Sequence, residues 1–205
     1  MTKTWFIGDI HGYWDRVLEP FMEQIGTEAP VIQVGDVGIG FGDDSTAACF
    51  DDQFAAYQNL VFIRGNHDNP KEIANSSHYI EDGHFDGQIM YIGGANSIDR
   101  QWRTEGLDWW PEEELSYEEL IDMIDKYAFI KPEVMVTHEC PESVFAHFPG
   151  MYPIPSRTRQ ALDSMFAIHQ PKIHIFGHYH IDFDQVINGT RFICVNQYKA
   201  IQLDI

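Results

Sequence analysis

One local pattern constrains this chain more than any other: a short apolar run that stops abruptly at a cluster of Gly, Asp, Asn and His. Residues 3–8 run into Asp9-Ile10-His11-Gly12, residues 30–34 into Gly35-Asp36, and residues 60–63 into Arg64-Gly65-Asn66-His67-Asp68. Further on, residues 133–137 end at His138, and residues 172–176 at Gly177-His178-Tyr179-His180. Short runs rich in Val, Ile and Phe, with Gly or Asp at the exit, predict buried strands.

Helical patterns lie between the runs. Residues 14–25 are periodic but carry Pro20, which should kink or shorten the helix. Residues 45–58 follow Asp43-Asp44, suited to capping. Ser116-Tyr117-Glu118-Glu119 is a capping box opening a helix to about Phe129. A further helix over 157–169 should stop before Pro171, and 186–192 predicts a hairpin turning at Asn188-Gly189. Strands alternating with helices imply an α/β fold with helices on both sides of the sheet, where ligands collect at the carboxyl ends of strands. With no repeat, linker or low-complexity segment, residues 1–205 are expected to form one domain.

Composition narrows the chemistry. Apolar residues make up 44% and charged residues 22%, proportions that suit a folded chain rather than a disordered one. The net charge of −19 opposes non-specific nucleic-acid binding and anionic membranes, although bound cations could reverse the field within one site. Cys49, Cys140 and Cys194 form no metal or redox pair, so metal chemistry would use nitrogen and oxygen. The N-terminus lacks a long apolar core, and no stretch approaches the roughly 18 apolar residues of a membrane span. A soluble, cytoplasmic protein is the expectation.

The polar groups at the strand ends are Asp9, His11, Asp36, Asn66, His67, Asp68, His138, His178 and His180. Singly, each has an ordinary explanation as a turn residue, cap or core histidine. Together they would require coincidences at five separate strand ends. Mixed nitrogen and oxygen donors suit divalent cations, and a carboxylate can bridge two ions about 3.5–4 Å apart in phosphoester hydrolysis. Such chemistry also needs an acid for the departing oxygen.

The ordered set D-x-H-G, G-D, G-N-H-D, a lone His after a strand, and G-H-x-H resembles the calcineurin-like metallophosphoesterase superfamily. The motifs span Asp9 to His180, nearly the whole chain. The resemblance implies a two-sheet β-sandwich flanked by helices and a dinuclear centre. It assigns Asp9, His11 and His180 to one metal and Asn66, His138 and His178 to the other, with Asp36 bridging. A bridging hydroxide would attack phosphorus. His67 matches the family's catalytic histidine, contacting phosphate or protonating the leaving group, with Asp68 orienting and charging its ring. Two divalent ions are implied, Mn²⁺ first, with Fe, Zn²⁺, Mg²⁺ or Ni²⁺ compatible.

The start, GDIHG, resembles the branch of Ser/Thr protein phosphatases and diadenosine tetraphosphate hydrolases, which slightly favours phosphomonoesters. That branch continues its second motif as G-D-x-x-D-R-G, whereas this chain reads Gly35-Asp36-Val37-Gly38-Ile39-Gly40-Phe41-Gly42 and lacks the phosphate-binding arginine. Asp68 also stands where the branch usually has Glu. Substrates in view are a small molecule, a nucleotide or a phosphoprotein. The alternatives are a phosphodiesterase acting on a nucleotide or cyclic nucleotide, and a non-catalytic metal-binding scaffold. Scaffold members tend to lack the motif histidine, which is present here as His67.

Residues 93–115 are long and aperiodic, the mark of a substrate loop. They carry Arg100 and Arg103, whose guanidinium groups suit phosphate, and Trp102, Trp109 and Trp110. The ordinary alternative is that the tryptophans pin the loop to the core while the arginines pair with residues 112–114. Arg64 is a weaker candidate, because a strand-end arginine more often pairs with a carboxylate.

Overall fold

In the computed structural model, which describes residues 2–42, 45–148, 150–151 and 154–205, every one of the five apolar runs contains a strand. In chain order the strands are Lys3–Ile7 (β1), Val31–Gln33 (β2), Leu60–Phe62 (β3), Ile89–Ile92 (β4) and Val134–Thr137 (β5). Ile173–Phe176 (β6), Phe183–Ile187 (β7), Thr190–Cys194 (β8) and Ala200–Asp204 (β9) follow. They form two mixed sheets, ordered β3-β2-β1-β9 and β4-β5-β6-β8-β7. The strands that deliver the motifs are parallel within each sheet, so their carboxyl ends point the same way: Trp5 pairs with Val31, Val31 with Leu60, and Val134 with Ile173.

Side-chain alternation explains the layers, because successive residues of a strand face opposite sides. Phe6, Ile32, Val134, Val136 and Ile175 pack in one cluster between the sheets. Their neighbours Ile7, Val31, Leu60 and Phe62 face outward onto Leu18, Met22, Phe50 and Phe54. On the other sheet Met90, Ile92 and Met135 cover Tyr127, Leu162 and Met165. Strands buried on both faces read as continuous apolar runs, which is why periodicity alone could not reveal the sandwich.

The helices are Glu19–Ile25 (α1), Ala47–Phe54 (α2), Pro70–Ile73 (α3), Tyr117–Ile130 (α4), Glu142–Phe145 (α5) and Arg157–Ile168 (α6). Pro20 falls where an irregular π-helical turn, Trp14–Leu18, passes directly into α1, the irregularity expected where a proline removes an N–H from a helical run. Ser116 and Glu119 form the expected capping box of α4. Thr46, accepting from the Cys49 N–H, caps α2; the expected capping residues Asp43 and Asp44 lie outside the described residues. The β7–β8 hairpin turns at Asn188 (φ 50°) and Gly189 (φ 90°), as the Asn-Gly pair requires. Among the described residues no helix is long and apolar enough to cross a membrane.

Candidate metal centre

The five motif loops leave the two sheets at one end and converge. Asp9, Asp36, Asn66 and His138 are almost wholly buried there, at 0–2% exposure, so their polar atoms need partners. One ligand atom from each of Asp9, His11, Asp36 and His180 falls within a 4.8 Å cluster. His180 Nε2 lies 2.9 Å from Asp9 Oδ2, and His11 Nε2 lies 3.0 Å from His180 Nε2. On the other side of Asp36, His138 Nε2 is 3.3 Å from Oδ1 and 3.2 Å from Asn66 Oδ1. His178 packs edge-on to His138, their ring centroids 5.1 Å apart.

Backbone strain marks the same residues. His11 (φ 47°), Asp36 (φ 60°), His178 (φ 68°) and His180 (φ 52°) all occupy the left-handed region, which L residues avoid. Such conformations cost about 1 kcal/mol or more each and gather at functional sites. The motif glycines serve close approach. A Cβ on Gly65 would lie 2.0 Å from Asp36 Oδ1, and one on Gly177 would lie 2.4 Å from Asp9 Oδ1. Gly65 is therefore needed for space beside Asp36 rather than for turn geometry.

Outer contacts aim the donors. His138 Nδ1 donates to the Val34 carbonyl at 2.8 Å, leaving Nε2 for the centre. Asn66 Nδ2 donates to Ser97 Oγ at 3.1 Å, which fixes its amide so that Oδ1 faces His138. Ser97 is itself held through its N–H on Glu113 Oε1 at 3.0 Å. Partners of this kind set the orientation and basicity of metal ligands.

Electrostatics fit a cation. Burial alone would raise the Asp36 carboxyl, but His67, His138 and His11 hold it well below the usual range. Burial opposes a charge on His138, yet Asp36 and Asp9 lift it to about 10. Burial, with His138 beside it, keeps His178 well below its usual value and therefore neutral. A hydrogen bond to Asp9 raises His180. The proton on His138 thus occupies a place suited to a positive ion, and uptake of a metal there would release it. Two carboxylates, four imidazoles and one amide oxygen are a donor set for divalent cations of the Mn, Fe or Zn type.

Asp68 corrects one expectation. Its carboxylate does not touch the His67 ring. Oδ1 accepts from Gly38 N at 2.7 Å, and Oδ2 accepts from Gly65 N at 2.7 Å and Asp36 N at 3.1 Å. Burial and the nearby Asp36 charge push Asp68 up to about 6, against the pull of the Gly65 and Gly38 N–H groups. It ties the second motif loop to the third. The carboxylate beside His67 is Asp36, with Oδ2 3.7 Å from Nδ1 and Oδ1 accepting the His67 N–H at 2.8 Å.

His67 Nδ1 lies 2.8 Å from His11 Nδ1, and Nε2 lies 2.6 Å from Arg103 Nη2. Burial lowers the His67 pKa, Asp36 pulling it up and Arg103 down. The ring stacks on Phe41, centroids 4.5 Å apart and planes 24° apart, and the Arg103 guanidinium lies 5.0 Å over that same Phe41 ring. Arg103 is steadied by Asp99 (2.7 and 2.9 Å) and by the Asp108 carbonyl (3.1 Å), not by residues 112–114. Arg100, exposed in a 3₁₀ turn, stays outside the site. Trp110 is buried 6.1 Å from Phe41, whereas Trp102 is 81% exposed, so only part of the loop is pinned by its tryptophans. Arg64 has the structural role: it donates to Asp82 at 2.6 Å and to the carbonyls of Glu112 and Glu113. Phe41, Ser97 and Glu113 were not legible as site residues. The one signal for Phe41 is its place between Gly40 (φ 66°) and Gly42 (φ 70°), a loop able to approach another closely.

A family model described as calcineurin-like phosphoesterase matches residues 2–182. No curated protein sequence matches the chain. Among solved structures, one described as a 5′-nucleotidase from Staphylococcus aureus, in complex with α-ketoglutarate, superposes with a TM-score of 0.59 at 12% identity. The match covers 99% of this chain and 51% of that one, so this chain spans about half its length. GAP50, the anchor in the inner membrane complex of Plasmodium, superposes with a TM-score of 0.51 at 10% identity, covering 96% of this chain and 72% of that one. At these identities the likeness is one of fold.

Proposed function

From the premise that the chain belongs to the calcineurin-like phosphoesterase family, we propose that it is a metal-dependent hydrolase of phosphomonoesters. The observation that carries this reading is the convergence of Asp9, His11, Asp36 and His180 on one point, with Asn66, His138 and His178 on the far side of Asp36. Asp9, His11 and His180 would hold one ion and Asn66, His138 and His178 the other, Asp36 serving both. Bound there, divalent ions supply Lewis-acid polarisation of phosphate oxygens and a water activated near neutral pH.

The remaining work falls to Arg103 and His67. Gly40 occupies the place where the related branch motif has arginine, and the Arg103 guanidinium lies over the ring of the next residue, Phe41. Arg103 supplies from the 93–115 loop the guanidinium missing from that motif, and binds the phosphoryl group through charge-assisted hydrogen bonds. Arginine is always a donor, so its 2.6 Å contact makes His67 Nε2 an acceptor in the free protein. An arriving phosphoryl dianion competes for Arg103 and favours a proton on Nε2, which His67 can then give to the leaving oxygen. Asp36, beside Nδ1, steadies that charged form. Preference for a monoester rests on the likeness of the GDIHG start to the protein-phosphatase branch, and a cavity beside Asn66 and His178 gives room for the organic group.

The test is to strip metal, restore Mn²⁺, and compare aryl mono- and diesters. Faster monoester turnover is expected, and His67→Ala should retain metal while turning over roughly a hundredfold or more slowly. Loss of metal from His67→Ala would instead make His67 a ligand.

A further inference from the structure

The cavity beside the candidate metal centre extends well beyond the place of a phosphoryl group. Its volume is about 630 Å³, within the roughly 300–1,000 Å³ that hold organic ligands. One end is formed by Asp36, Asn66, His67 and His178. Away from these motif residues the lining includes Phe145, Met151, Ile154, Glu139 and Arg159, with Arg159 touching both Phe145 and Ile154.

The charged groups at that far end are already arranged. Arg159 donates from Nε to Glu142 at 2.5 Å and from Nη2 to the Ile154 carbonyl, and its guanidinium covers the Phe145 ring at 4.2 Å. Arg103 is likewise committed to Asp99. Both lining arginines thus already face carboxylates, Arg103 that of Asp99 and Arg159 that of Glu142, and Glu139 adds a further acidic group. Its Oε1 accepts from Cys140 N at 2.9 Å and from the Tyr179 hydroxyl, but its Oε2 takes no hydrogen bond from the described residues. A carboxylate oxygen free on the wall of a cavity calls for a donor from the ligand.

Resting on the hydrolase reading above, we propose that this far end is a leaving-group subsite that selects the uncharged organic body of the substrate. That body has a flat apolar face, packed on Phe145, Met151 and Ile154, and a distal N–H or O–H donated to Glu139 Oε2. Polyphosphates and phosphorylated acidic peptides are disfavoured, because their extra anions would face Glu139 and would have to share Arg159 with Glu142.

The test compares 4-(hydroxymethyl)benzyl phosphate, 4-methylbenzyl phosphate, n-propyl phosphate and pyrophosphate on the Mn²⁺-loaded protein. The two benzyl esters have similar leaving groups and differ in the distal donor. The hydroxymethyl ester should lead in kcat/KM by about tenfold, chiefly through KM. Both benzyl esters should exceed n-propyl phosphate, with pyrophosphate last. In Glu139→Gln the hydroxymethyl advantage should shrink to about twofold, and in Ile154→Ala KM should rise more for the benzyl esters than for n-propyl phosphate. Independently of turnover, saturation-transfer NMR should detect 1,4-benzenedimethanol on metal-free protein, more weakly in both variants. Equal kcat/KM for benzyl and propyl esters, or no transfer to the wild type, would overturn the subsite. Transfer retained by a protein that hydrolyses none of the esters would support the subsite and overturn the hydrolase reading instead.

Discussion

The strand-end cluster and the 93–115 loop face one small space, but they are held there differently. At the strand ends the backbone itself is tied down: Asp68 gathers the N–H groups of Gly38, Gly65 and Asp36, and His138 is locked on the Val34 carbonyl. The loop instead delivers Arg103 through an i,i+4 pair with Asp99, which is 48% exposed. With Asp99 open to solvent and the Arg103 side chain only 10% exposed, the pair is partly screened by salt. The donor geometry is thus built into the backbone of the sandwich, while the cation proposed to bind phosphate is held by side-chain contacts within its loop. Metal binding should consequently be sensitive to small strand-end changes, and substrate affinity to changes in the loop.

The strongest challenge to this contrast is Asp36→Asn. Removing the shared carboxylate charge is expected to abolish binding of at least one ion, read by metal analysis, and to cut turnover on the order of a thousandfold. Next comes Asp68→Ala, which leaves three backbone N–H groups without their acceptor. A loss of about 3 kcal/mol or more is expected in denaturant unfolding of the metal-free protein. An unchanged midpoint would mean that Asp68 does not hold the loops together.

Below these stands acid sensitivity of the scaffold. Burial pushes His174, on β6, down to about 3. The unfolded chain takes up this proton near pH 6.5 and the folded chain does not, so stability falls as pH drops through that window. His174 contributes about 2 kcal/mol of loss between pH 6.5 and 5, and His174→Gln should flatten that part of the profile. On the loop side, Arg103→Ala should raise KM by roughly tenfold with metal retained. Arg100→Ala should change it by less than about twofold. Equal effects from the two arginines would erase the distinction between site and surface.

Much of the strand-end cluster was legible because chemistry and chain direction coincide. A buried parallel strand ending in Asp or His must present that residue at the ligand-collecting edge of a sheet. The capping box at Ser116 and the Asn188-Gly189 turn were equally local. β4 and β9 were not: Ile89–Ile92 is a short apolar run without a motif at its exit, and Ala200–Asp204 is recruited by pairing with β1. Asp68 was misread because its neighbour in sequence is a histidine. Its partners in space are the backbone of Gly38 and Asp36, about thirty residues away, and Gly65.

By itself the sequence determined which residue types stand at the strand exits, and hence a centre of imidazole, carboxylate and amide donors. Periodicity, Gly and Asp at strand ends, and local capping act over a few residues, so they can be read without coordinates. Tertiary structure alone decided which arginine enters the site, that Phe41 supports His67, that Ser97 aims Asn66, and that Glu139 lines a cavity. Those outcomes depend on packing between elements far apart in the chain, which puts Arg103 against His67 and leaves Arg100, three residues earlier, exposed.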